Sequence, residues 1–251
     1  MRKAFLLASL FLLGVVPGAQ AQTEVSFLVA NPARRTIAKL IPGFESKTGY
    51  KVAVTNGGGL GTRQQIARGE MFDVSILLPP YPEALASGHI DPKSETPLAS
   101  MRLSLGVKKG APKPDISTVE ALKKALLAAK AIAVVDSNIG SDGLATRQAL
   151  ENLGVMDLIG PKIKIARSAN LTREMVTKGE ADLTIHYRNE MDTPEIDIVG
   201  LLPREFAPPV PFVAFISTHV RDAKVARALV DYLVSPEAKA IYAEDGMEPA
   251  R

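Results

Sequence analysis

The stretch Ala131–Gly154, AIAVVDSNIGSDGLATRQALENLG, constrains the fold of this chain more than any other. It opens with a run of small and β-branched apolar residues, Ala131–Val135, and breaks into a polar, glycine-containing turn, Asp136–Gly143. It resumes as a helical pattern, Leu144–Leu153, and Gly154 stands where a helix commonly stops. The order is strand, loop, helix N-terminus. In an α/β protein such a loop lies at the carboxyl end of a sheet, where ligands bind. The unpaired N–H groups of the first helical turn can hold an anion or a carbonyl oxygen there. The same grammar recurs at least three times, which predicts several such loops converging on one small-molecule site.

The first recurrence is Glu24–Ala30, a predicted strand followed by Asn31-Pro32. Asn is a strong N-cap and Pro suits the first helical position. The helix carries Ile37, Leu40 and Ile41 on one face, and Pro42 is expected to end or kink it. The second is the strand Tyr50–Thr55 and the loop Asn56–Arg63, NGGGLGTR. Its three consecutive glycines leave no side chain to keep a ligand off the backbone. It is neither a P-loop nor the dinucleotide fingerprint, since the Gly-Lys-Ser/Thr and the third spaced glycine are absent. Arg63 reads equally well as a ligand clamp or as a solvated helix residue. The third runs from strand Ile163–Ala166 through the polar cap Ser168-Ala169-Asn170 into a helix. A further strand, Leu183–Tyr187, ends in His186-Tyr187. Tyr187 either donates its hydroxyl to a ligand or packs at a domain edge, and His186 reads as a satisfied, partly buried histidine.

Met1–Gln22 stands apart from this pattern. Arg2 and Lys3 precede the apolar run Ala4–Val16, Pro17-Gly18 breaks it, and Ala19-Gln20-Ala21 is an A-x-A signal. A secretory signal peptide cleaved after Ala21 is expected. The chain has no cysteine, hence neither a disulfide nor a lipid-anchoring cysteine at that site. A free periplasmic protein is the expectation. Losing Arg2 and Lys3 takes the formal charge from +3 to +1, which leaves no electrostatic footprint for nucleic acid.

Strands and helices alternate throughout, so the predicted class is α/β with largely parallel sheets. Leu98–Val107 reads as one long strand suited to crossing between two lobes. The Pro-rich Pro203–Pro211 can carry the chain back. The expected organisation is residues 22–103 and 206–251 in one lobe and 104–205 in the other, a hinged two-lobe clamshell with two crossover segments.

The sequence resembles the periplasmic solute-binding proteins of ABC transporters, most closely the molybdate-binding type. Five segments carry the resemblance: VSFLVANPARR, TNGGGLGTRQQIARGEMFDVSILL, VVDSNIGSDGLATRQALENLG, TKGEADLTIHYRNEM and LVDYLVSPEAKAIYAEDGMEP. It implies a two-lobe cleft, no catalysis, no cofactor or metal, a monomer, and delivery of a small anionic solute to an inner-membrane permease. The implied ligand-binding residues are Asn31, Gly58, Gly59, Arg63, Ser141, Asp142, Ala169 and Tyr187. Of the family's loop residues only the tyrosine keeps its type. Serine is usual in the first two loops and a small neutral residue in the third, where Asp142 stands. A carboxylate about 4 Å from a dianion costs on the order of a few kcal/mol at intermediate dielectric. Asp142 therefore either turns away and caps its helix, or binds an amine or hydroxyl of an organic solute whose carboxylate pairs with Arg63 or Arg34.

Two other classes stay open. An exported α/β enzyme is one, although no G-x-S-x-G or H-E-x-x-H occurs and the three histidines, His89, His186 and His219, are scattered. A sensory module that presents a bound solute to a receptor is the other.

Overall fold

The computed structural model describes residues 23–57 and 61–251. The expected signal peptide and the loop glycines Gly58 and Gly59 lie outside the described residues. The elements in chain order are β1 (Glu24–Ala30), α1 (Arg34–Thr48), β2 (Lys51–Gly57), α2 (Gly61–Ala67), β3 (Val74–Leu77), α3 (Pro82–Ala86), β4 (Thr96–Met101) and β5 (Leu103–Lys108). There follow α4 (Val119–Ala128), β6 (Ile132–Val135), α5 (Ser141–Asn152), α6 (Met156–Ile159), β7 (Ile163–Ala166), α7 (Ala169–Thr177), β8 (Leu183–Tyr187) and β9 (Ile196–Leu201). The chain closes with β10 (Val210–Ile216), α8 (Ala223–Leu233), α9 (Pro236–Glu244) and β11 (Glu248–Pro249).

The strands form two sheets, ordered β11-β4-β10-β3-β1-β2 and β7-β6-β8-β5-β9. Each sheet has a parallel half, with β1 beside β2 and β3 in the first and β6 beside β7 and β8 in the second. The strands next to the crossings pair antiparallel, β10 with β3 and β4, and β5 with β8 and β9. The stretch expected as one long strand is therefore two, in different sheets, and Arg102 marks the passage. Its guanidinium is buried there, donating to the Leu202 carbonyl (2.8 Å) and to Glu248 (3.1 Å). One arginine thus ties the outgoing crossing to the returning one.

Helix α1 runs through Pro42 to Gly49, whose φ of 75° closes it. Pro42 removes one N–H from a 15-residue helix whose buried face, Ile37, Leu40 and Phe44, packs on the first sheet and outweighs the loss. Asn31 is not an N-cap; it opens a short 3-10 turn, Asn31–Ala33, that feeds α1. Its side chain is left free.

A contiguous apolar core extends from Phe27 and Phe44 through Met101, Leu103 and Phe206 to Leu122 and Leu150. One polar knot is buried in the first lobe. Asp73, 3% exposed, accepts from the Ser26 N–H and hydroxyl (2.8 Å each), from the Arg221 N–H (2.9 Å) and from the Arg221 guanidinium (2.6 Å). Burial pushes the Asp73 carboxyl up, but the Arg221 and Ser26 bonds outweigh it and hold it at about 2. Among the described residues no helix is long and apolar enough to cross a membrane.

Candidate functional site

Between the lobes lies a cavity of about 190 Å³. The first lobe contributes Asn31, Pro32 and Arg34, and the second contributes the loop before α5, Arg167 with the start of α7, and Glu190. The loops at the ends of β1, β6, β7 and β8 therefore meet here, whereas among the described residues none of the expected loop Asn56–Arg63 after β2 lines the cavity. Asn189 donates to the Pro32 carbonyl across the gap (2.7 Å), and Arg35 to the Asp192 carbonyl (3.4 Å).

The third loop shows why this spacing works. Helix α5 begins at Ser141, three residues earlier than the apolar pattern indicates. A Cβ on Gly143 would stand 2.4 Å from the Val135 carbonyl, so only glycine lets the helix start so close to the strand end. That proximity aims the N-terminus of α5 at the cavity. Gly140, the N-cap, makes no side-chain cap, and neither does Asp142 cap the helix. Ser168 does cap α7, accepting from the Leu171 N–H.

Asp142 instead turns toward β8. It is 5% exposed and lines the cavity, and its Oδ2 is 2.9 Å from Nδ1 of His186, which is fully buried. The other ring nitrogen, Nε2, meets the Thr172 hydroxyl, which also lies 2.9 Å from the Ala169 carbonyl. An Asp142 carboxylate only accepts, so Nδ1 donates to it, while the Thr172 hydroxyl bridges Nε2 and the Ala169 carbonyl. The carboxylate at the cavity is thus backed by a histidine and, through it, a threonine.

Glu190 completes the cluster. The nearest carboxylate and imidazole atoms of Asp142, His186 and Glu190 all lie within 4.8 Å of one another. The Glu190 Oε2 is shut off from solvent without a hydrogen-bond partner. Burial first, and then the Asp142 charge, push its carboxyl up to about 8, against the pull of Arg173, Arg34 and Arg35. Arg173 gives its hydrogen bonds to the Glu190 backbone carbonyl (2.7 Å) and to Asn170, so no ion pair neutralises the Glu190 side chain. The trio has donors for a metal ion, but both His186 nitrogens are engaged, and a cation has to break one of those bonds.

A sequence profile described as "Bacterial extracellular solute-binding protein" matches residues 25–248. This chain belongs to that family. The solute-binding chain is 30% identical to the "Aconitate isomerase" of a Pseudomonas species over 260 residues, covering 98% of this chain and 94% of that protein. It is 26% identical to the "Molybdate-binding protein ModA" of Rhodobacter capsulatus over 206 residues, 81% of this chain and 79% of the other. The periplasmic molybdate-binding protein of Azotobacter vinelandii superposes with a TM-score of 0.75 at 23% identity, covering 90% of this chain and all of that one. The fold is the two-lobe fold of periplasmic binding proteins. Members of such a family bind small solutes outside the cytoplasm and work with a permease.

The structure brings together only some of the expected ligand residues of this solute-binding protein. Asn31, Asp142 and Ala169 line the cavity, and so does Arg34. Arg63 does not: its guanidinium bonds the Pro80 carbonyl and lies 4.0 Å from Glu83. Ser141 is buried behind the cavity wall, its hydroxyl without a hydrogen bond of good geometry. Tyr187 is fully buried, and its hydroxyl likewise lacks such a bond. Burial and the nearby Asp142 charge raise it well above the usual tyrosine range, while Ser141 acts the other way. Arg167 and Glu190 line the cavity and Thr172 braces His186, and no sequence motif marks any of the three. A histidine inside the buried strand Leu183–Tyr187 is the available signal, since its two ring nitrogens need partners there, and Asp142 and Thr172 supply them.

Proposed function

We propose that the cleft takes a small polycarboxylate of the aconitate type and shifts a proton along it, interconverting the cis and trans acids. One observation carries this reading: an Asp142 carboxylate, backed by His186 and Thr172, faces an anion-sized cavity flanked by Arg34 and Arg167. A tetrahedral dianion gains nothing from that carboxylate, whereas a carbon acid needs a base placed beside its bound carboxylates. The kinship with a protein named aconitate isomerase supports the same reading.

The chemistry asks little else of the site. Asp142 removes a proton from the methylene carbon next to the double bond, and the bonding pair moves along the allylic system. Asp142 then returns the proton to the far carbon. The carbon skeleton is the same read from its other end. The orientation in which the cleft holds the outer carboxylates sets the configuration of the new double bond. Arg34 and Arg167 hold those carboxylates, helped by the N–H groups at the starts of α5 and α7. Arg34→Ala and Arg167→Ala are each expected to raise KM about tenfold with a smaller change in kcat; an unchanged KM removes that arginine from the clamp.

The test is incubation with cis-aconitate followed by proton NMR. Appearance of the trans acid supports the reading. A second reading has the chain capture an oxyanion or organic acid for an ABC permease without turnover, and the family and its molybdate-binding relatives favour it. Molybdate, tungstate, sulfate and phosphate belong in a parallel thermal-shift panel. A ligand at one hundred times its Kd stabilises by about 2.7 kcal/mol. Stabilisation by an oxyanion, with no turnover of aconitate, establishes the second reading over the first. Export of the mature chain from residue 22 onward, its action as a monomer and the lobe boundaries 22–103, 104–205 and 206–251 belong to this proposal as well.

A further inference from the structure

We propose that Glu190 works as a neutral carboxylic acid, donating a hydrogen bond to the substrate carboxylate that accumulates charge while Asp142 holds the proton. This role rests on the isomerase reading above. Taking a proton from an allylic polycarboxylate leaves a carbanion whose charge spreads onto the adjacent carboxylate. That group gains a further partial negative charge in a cavity that already holds Asp142. A preorganised donor aimed at this oxygen stabilises the intermediate more than the substrate, which is the condition for raising kcat.

Glu190 has the position and the surroundings of such a donor. It lines the cavity, and among the described residues neither carboxyl oxygen has a hydrogen-bond partner; Oε2 is shut off from solvent, so the oxygen left to meet a ligand is Oε1. It sits within 4.8 Å of Asp142 and His186, and two carboxylates at that range do not both ionise readily. The nearby Arg173 guanidinium is spent on a backbone carbonyl and on Asn170. Arg34 and Arg35 act on Glu190 only through space. Among the described residues an ionised Glu190 has no hydrogen donor for its buried Oε2. A protonated Glu190 needs an acceptor, and the bound substrate supplies one. The two acids have divergent surroundings, Asp142 bonded to His186 and Glu190 bare. Divergent surroundings of this kind give two carboxyl groups an acid role and a base role.

The proton balance closes without another reactant. Asp142 gains the substrate proton and gives it back on the other carbon. Glu190 keeps its own proton throughout and lends it only as a hydrogen bond.

The experiment compares kcat, KM and pH profiles of the wild type, Glu190→Gln, Glu190→Ala and Asp142→Asn between pH 6 and 9. Calorimetry with propane-1,2,3-tricarboxylate, the saturated analogue, measures binding without turnover. Gln keeps a donor and cannot ionise. Glu190→Gln is therefore expected to lose about tenfold in kcat, and Glu190→Ala about 10²–10³-fold. The wild type is expected to lose activity as pH rises through about 8, where Glu190, facing Asp142, His186, Arg173, Arg34 and Arg35, gives up its proton. Glu190→Gln is expected to lack that limb. Glu190→Gln as inactive as Asp142→Asn, or carrying the same high-pH limb as the wild type, overturns the proposal. If the wild type binds the saturated analogue and turns over neither aconitate, the isomerase reading itself falls, and the role of Glu190 falls with it.

Discussion

Replacing Asp142 by Asn is expected to lower kcat for aconitate interconversion by about 10³-fold while tightening the binding of the saturated tricarboxylate. The two effects have different causes. The carboxylate is the group at the cavity that can take a proton from carbon, and the amide cannot. The same carboxylate repels every negative charge that enters, by a few kcal/mol at about 4 Å and intermediate dielectric. An amide of the same shape removes that repulsion. It also changes what His186 faces, since the introduced amide can offer an N–H where Asp142 only accepts, so the imidazole tautomer is no longer fixed. A binder selected only for affinity gains from this substitution and loses nothing. Weaker binding in Asp142→Asn means that the carboxylate serves as a ligand contact, and a full rate means that the base lies elsewhere.

The second large effect concerns stability. Asp73→Ala is expected to cost about 3 kcal/mol in urea unfolding. The loss strands the Ser26 and Arg221 backbone N–H groups, both of which Asp73 accepts. It also frees a guanidinium whose charged partner is 3% exposed. The same pair gives the fold an acid limb. The Asp73 carboxyl is at about 2 in the folded chain against an ordinary value of 3.8. Its contribution is then complete above about pH 4 and is lost as pH falls through about 2, a difference of about 2 kcal/mol. An Asp73→Ala variant that unfolds at the wild-type urea midpoint at pH 7 refutes the account.

Much of the cleft was legible because its framework is local. The apolar run Ala131–Val135, the tight turn at Gly143 and the stop at Gly154 are neighbours in sequence, and each imposes its own geometry. The first turn of α5 reads as loop because Ser141, Asp142 and Gly143 carry no apolar periodicity. Arg102 did not interrupt the strand-like alternation around it, so the change of sheet at that residue was invisible. The chemistry of the site was less legible for a different reason. Asp142 and His186 stand 44 residues apart and meet only because β8 pairs with β6 beneath the start of α5. Glu190 follows three residues after the strand that carried Tyr187, in a short 3-10 turn with no motif of its own. The family resemblance points to Tyr187, which is fully buried, while Glu190 lines the cavity.

The layout of the two sheets also fixes an order of events. Every strand of the second sheet, β5–β9, comes from one uninterrupted stretch of chain, whereas the first sheet has β10 and β11 added to strands formed near the N-terminus. Leu77 must wait for Val213, and Met101 for Val210. Contacts so distant in sequence carry a larger loop-closure cost and form late. Pulse-labelled hydrogen exchange during refolding is expected to protect β6 and β8 before β1 and β3; simultaneous protection contradicts it. Until the last strands arrive, half of the cleft stands assembled with its acids and histidine in place, facing a partner that has yet to take shape.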